Sequence, residues 1–177
     1  MADTLIGPLL AEQIRAAHAL LARYFGGFTD EMRTRQAANL PNHAAWSLGH
    51  LAITLHRAAE RFGEQTGLPE SDFISGDGGD EGRFGTESVS FGSTPSDDPA
   101  RYPTWQRCRE ILAAAVERAA RALENLPDDE LNAEVQWGAG KSTRRQLALR
   151  QIFHLGTHCG QLADLRRALG MGSIFGK

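Results

Sequence analysis

The stretch Phe153-His154-Leu155-Gly156-Thr157-His158-Cys159-Gly160-Gln161 lies inside a run, from Ser142 to Leu169, that reads as one long helix. At about 3.6 residues per turn its two histidines project from the same face, one above the other. Leu147 and Leu165 fall within about 20° of His154 around the helix, and Leu169 within about 20° of His158. The pair therefore sits on the stripe that faces the protein interior. Burying two imidazoles among leucines is costly unless their nitrogens are satisfied, either by hydrogen bonds or by a metal. Two neutral imidazoles one turn apart are half of a transition-metal site.

Three more amphipathic helices precede this one. Leu9, Leu10, Ile14, Ala17, Leu21 and Tyr24 recur at threes and fours over residues 8–25, with Gly26-Gly27 as the stop. Thr29-Asp30-Glu31 reads as the cap of a short helical segment. A second helix opens at Asn42 and runs to about Gln65, burying Leu48, Leu51, Leu55, Ala58 and Phe62. A third, over 104–126, carries Trp105, Cys108, Leu112, Val116, Ala119 and Leu123 and is closed by Pro127. The fourth opens at Ser142 or Thr143 and ends at Leu169, with Gly170 as its cap. No strand-like alternation competes with these in length. The expected fold is all-α, a four-helix bundle in a single domain spanning 1–177.

The connection between helices two and three is unusual. Residues 67–102 contain seven glycines together with Pro69, Pro95 and Pro99. Connections of this length are functional or disordered more often than not. Phe73, Phe84 and Phe91 are apolar anchors that a free tether would not need. The segment therefore reads as a partly docked surface crossover, with a lid over a site as the sharper alternative.

Composition narrows the function. A chain of 177 residues with 41% hydrophobic and 23% charged residues suits a soluble domain. The net charge is −3, with acidic and basic residues interspersed, which does not support a nucleic-acid grip. No apolar run approaches the roughly 20 residues that span a bilayer, and the N-terminus lacks the pattern of a signal peptide. The expected location is the cytoplasm, where Cys108 and Cys159 stay reduced. Gly140-Lys141-Ser142-Thr143 resembles the end of a phosphate-binding loop. The glycine that such a loop requires five positions earlier is Val135 here, so a helix cap explains the run better.

A third metal ligand must come from another helix, and His50 is the candidate. It stands about 100° from the leucine stripe of helix two, on a mixed face with His43, Trp46, Ser47, Thr54 and Arg57. Gly49 beside it would let a neighbouring helix come close. His43, one heptad earlier, is a fallback ligand, although its place in the first turn suggests exposure. His18 and His56 read as packing or surface residues.

The segments Asn42 to Leu51 and His154 to Gln161 resemble the DinB-like (YfiT-like) superfamily of metal-dependent four-helix proteins. In that family a helix-two histidine in a Trp-x-x-x-His-Leu setting joins two helix-four histidines spaced His-x-x-x-His and followed by Gly-Gln. The likeness extends over most of the chain in helix order and includes the closing Leu165-Arg166-Arg167-Ala168-Leu169-Gly170. The resemblance implies that His50, His154 and His158 are metal ligands. Many members carry arginine where this chain has Cys159, so a substrate contact made by such an arginine does not transfer. The resemblance also implies pairing of two copies through helix faces, giving a homodimer.

Three neutral histidines leave at least one coordination position open, as in catalytic rather than structural zinc sites. The ion would be zinc or nickel, since both suit imidazole. It would lower the pKa of a bound water towards about 7, or hold a substrate thiol as thiolate. Leu155 stands where a zincin would have its general-base glutamate, so peptidase chemistry of that type is disfavoured. Gln161 shares the histidine face and would either orient a ligand or substrate or simply tie two helices together. Arg57 and Arg150 are candidates to meet an anionic substrate, with a surface arginine as the plainer reading. The resemblance implies an enzyme that joins a low-molecular-weight thiol, such as bacillithiol or mycothiol, to a small electrophile, with a hydrolase as the close variant. A non-catalytic metal-binding stress-related or dimerising module is the alternative, and a metal-free structural bundle the third reading.

Overall fold

The computed structural model describes residues 5–175. Four α-helices carry the architecture: α1 (Ile6–Ala22), α2 (Ala44–Arg61), α3 (Trp105–Glu124) and α4 (Arg144–Ala168). They close a ring in which α1 packs on α3 and α4, and α2 packs on the same two. The leucine stripe of α2 and the Trp105-to-Leu123 stripe of α3 are buried as the periodicity requires. On α4, Leu147, Leu162 and Leu165 are buried and Leu169 is half-buried. Leu9, expected on the buried stripe of the first helix, is 55% exposed, and Leu10 takes the inward position.

The helix ends follow side-chain chemistry. Thr143 and Gln146 form a reciprocal capping box at the start of α4, and Thr104 caps α3 through the Arg107 N–H. The second helix is shorter than 42–65. His43, not Asn42, is its cap, with Nδ1 accepting from the Trp46 N–H at 3.1 Å. Beyond Arg61 the chain reaches Gly63 at φ +115°, outside the helical region. The first helix gives way at Arg23–Phe25 to a single 3-10 turn. Thr29-Asp30-Glu31 does not cap a helix; the Thr29 carbonyl accepts from the Met32 and Arg33 N–H groups in an isolated turn.

Two small sheets depart from the all-helical expectation. β1 (Phe73–Ile74) pairs in parallel with β2 (Phe84–Gly85). β3 (Glu134–Trp137) pairs antiparallel with β4 (Gly140–Thr143), with Trp137 opposite Gly140 and Gly138 in the turn at φ +58°. The phosphate-loop look-alike is therefore strand β4, whose last residue, Thr143, caps α4.

The connection between α2 and α3 is a packed layer rather than a tether. Phe73, Phe84, Val89 and Tyr102 are buried, whereas Phe91 is 94% exposed and anchors nothing. Guanidiniums pin this layer to the helices. Arg33 donates to the carbonyls of Pro99 and Pro103, and Arg107 to Asp72 at 2.6 Å. Arg118 donates to the Gly67 carbonyl and to Nδ1 of His56. His43 is fully buried rather than exposed, because the layer covers it: its Nε2–H donates to the Ser96 carbonyl at 2.9 Å, and the Tyr102 ring meets it edge-on.

Burial is the main reason that His43 and His56 are each pushed down to about 4. Both folded-state values lie below the ordinary 6.5, so the unfolded chain binds protons first as the pH falls. The stability these two groups contribute is complete above about pH 6.5 and is lost progressively towards about pH 4. Denaturant unfolding at stepped pH should show that decline, and His56→Gln should make it shallower without abolishing it, since other buried histidines are lowered too.

Candidate metal centre

α2 supplies His50, 7% exposed, and α4 supplies His158, 4% exposed, with His154 half-buried beside it. One nitrogen from each ring lies within 4.8 Å of the other two. The Nε2 atoms of His154 and His158 are 3.2 Å apart. Two nitrogens bound at about 2.0–2.1 Å to one tetrahedral ion stand about 3.3 Å from each other, so this pair already has the spacing of ligands.

The neighbours of His50 decide which of its nitrogens is free. Its Nδ1–H donates to the Val89 carbonyl at 2.9 Å, which leaves the Nε2 lone pair available. The Trp46 indole stacks on the same ring, 4.7 Å between centroids and 10° from parallel. That indole is itself fixed by Nε1–H donating to Ser93 Oγ at 2.9 Å. Both partners, Val89 and Ser93, belong to the packed layer. Gly49 is what lets the layer so close: a Cβ there would meet Phe84 and Val89 at 2.7 Å. The sequence reading of Gly49 expected a helix in that place; the visitor is the loop.

Burial holds all three rings in the neutral form that binds metals. Desolvation is the largest influence on each, taking His154 to about 4 and His158 to about 3 and lowering His50 as well. The rings disfavour one another's protonation, since His50 acts on His154, and both act on His158. Nδ1 of His158 is buried with no hydrogen-bond partner. Its Nε2 is the nitrogen that faces His154 Nε2. Among the described residues the group that could hold an ion contains these three histidines and no carboxylate or thiolate. The donor set thus fits a borderline divalent cation with room left for a further ligand.

The remaining sequence candidates separate clearly. His43 is no fallback ligand, because Trp46 N–H and the Ser96 carbonyl occupy both its nitrogens. Gln161 accepts from Asn42 Nδ2 at 3.2 Å, tying α4 to the start of α2. Arg57 and Arg150 are exposed. Cys159 is buried beside His158 but outside the donor group, and burial pushes its thiol up. Val89 and Ser93 were missed, and for Val89 no sequence signal exists because the acceptor is a backbone carbonyl. Trp46 was placed on the right face, four residues before His50, and that spacing was the available clue to its stacking.

The DinB superfamily profile matches residues 13–162. The chain belongs to the DinB superfamily. A crystal structure of a conserved protein from Enterococcus faecalis superposes with a TM-score of 0.61 at 18% identity, covering 90% of this chain and 94% of that one. That likeness speaks for the fold alone. No curated protein matches the chain. No described helix is long and apolar enough to cross a membrane.

Gly49→Ala should cost about 1–3 kcal/mol of stability through overpacking. It should also weaken divalent-metal affinity by roughly tenfold or more, by loosening the Val89 contact to His50. Denaturant unfolding together with a competitive zinc-chelator titration would measure both effects.

Proposed function

We propose that His50, His154 and His158 hold one divalent transition metal, zinc or nickel, at the wall of a DinB-type four-helix bundle. On this reading the chain is a cytoplasmic enzyme that joins a low-molecular-weight thiol to a small electrophile. One observation carries the proposal: three neutral imidazole nitrogens converge with no carboxylate among them. Such a donor set leaves the charge of the ion uncompensated, and the bound ion would favour ionisation of a thiol or water at neutral pH. In the transfer, the thiol proton goes to solvent and a sulfur lone pair forms the new bond to carbon. The bond from that carbon to its leaving group breaks, and the leaving group keeps the electron pair.

The chain's own part is positioning and exclusion. Val89 and Trp46 set the His50 ring, and α4 fixes the other two rings one turn apart. Among the described residues the donor group contains no carboxylate to serve as a general base. That absence suits a nucleophile that ionises because of the metal itself. It equally favours the second reading, a metal-binding module without turnover.

Elemental analysis of protein purified without a histidine tag, followed by thioether formation from a low-molecular-weight thiol and 1-chloro-2,4-dinitrobenzene, separates these readings. Close to one equivalent of metal is expected, reduced to background in His154→Ala, with product formation abolished in His50→Ala. Hydrolysis that needs no thiol would favour the hydrolase. A full complement of metal with no turnover would leave the binding module. Metal content unaffected by His154→Ala would overturn the assignment altogether.

A further inference from the structure

The helix register puts two cations beside the histidine group. Asn42 meets Gln161 near one end of the α2–α4 pair, and Arg144 Nε donates to the Arg61 carbonyl at 2.8 Å near the other. These contacts run the two helices antiparallel. In that register Arg57 of α2 and Arg150 of α4 lie within about one turn of the same height. Arg150 is one turn before His154 on the same face, where side chains four apart are neighbours. Arg57 is two turns after His50 on the same face of α2. Both arginines are exposed, and His154 beside them is the most open of the three rings.

Neither guanidinium is neutralised. Arg15, Arg83, Arg107 and Arg144 each face a carboxylate within 3.0 Å, but Arg57 and Arg150 have no ion-pair or hydrogen-bond partner among the described residues. In a chain whose net charge is −3, these two guanidiniums thus stand without a carboxylate partner on the side of the histidine group. Local positive charge of this kind raises the concentration of small anions beside it.

We propose that Arg57 and Arg150 form an anion-selecting rim, so that the substrate of this site carries a carboxylate or a comparable small anionic group. The inference rests on the histidine group being the functional site. The arginines do not depend on the metal for their charge, so their effect is readable with and without it.

Benzoate and its neutral analogue benzamide are the probes. The first arm follows the visible bands of cobalt(II)-loaded protein, and the second follows amide and histidine NMR shifts of metal-free protein. Wild type should bind benzoate about tenfold or more tighter than benzamide in the cobalt form. Arg57→Met and Arg150→Met should each weaken benzoate by about two- to fivefold, the weight of one exposed charge, in both arms. Benzamide binding should not change. The variants should fold normally, because neither side chain makes a contact that the substitution removes. Benzoate affinity indifferent to the double substitution would overturn the proposal, even where cobalt binds. Failure of cobalt to bind would sink the metal reading alone, and the metal-free arm would still decide the rim.

Discussion

The hydrogen bond from His50 Nδ1 to the Val89 carbonyl is the contact on which the rest of this structure depends. An imidazole on one helix cannot be a useful ligand for a pair on another unless its free lone pair is aimed at them. The Val89 carbonyl fixes the tautomer, and the Trp46 stack fixes the plane. Both depend on a loop that has no regular structure over most of its length. The α2–α3 connection accordingly buries Phe73, Phe84, Val89 and Tyr102 and is pinned by arginines. Its anchoring to α2 and α3 and the orientation of His50 are one structural problem.

A second constraint follows from burying three basic rings together. Each desolvated imidazole loses its proton more readily, and each neighbour adds to the effect. The cluster is thus kept neutral without any carboxylate. Zinc proteases offset part of the charge of the ion with an anionic ligand from the protein. Here the three-histidine group contains no carboxylate. An ion held by these rings would take its charge balance from a ligand entering from solvent.

Much of this was legible in the chain. The stripes of α2, α3 and α4 located the helices, and the Ser142-Thr143 pair located the start of α4, where Thr143 proved to be the cap. The four-residue spacing of His154 and His158, together with the mixed face around His50, located the ring cluster. The failures have definite causes. His43 looked exposed because first-turn residues of a helix commonly are, but here a loop from far along the chain lies over it. The hairpin of β3 and β4 escaped notice because its strands have four residues each, too few for alternation to show, although Trp137-Gly138-Ala139-Gly140 carried the turn. The role of Gly49 was read half correctly: a close approach was foreseen, but nothing local told whether a helix or a loop would fill the space. Val89 lay beyond reach because any residue offers the same carbonyl.

The most direct test of the central claim is a long-range proton–nitrogen NMR spectrum of the histidine rings, recorded at neutral pH as zinc is added. The account predicts that at one equivalent His50, His154 and His158 all carry the proton on Nδ1, with their Nε2 resonances shifted together. Zinc leaving those three Nε2 resonances unmoved, or shifting Nδ1 of His50 instead, would contradict it.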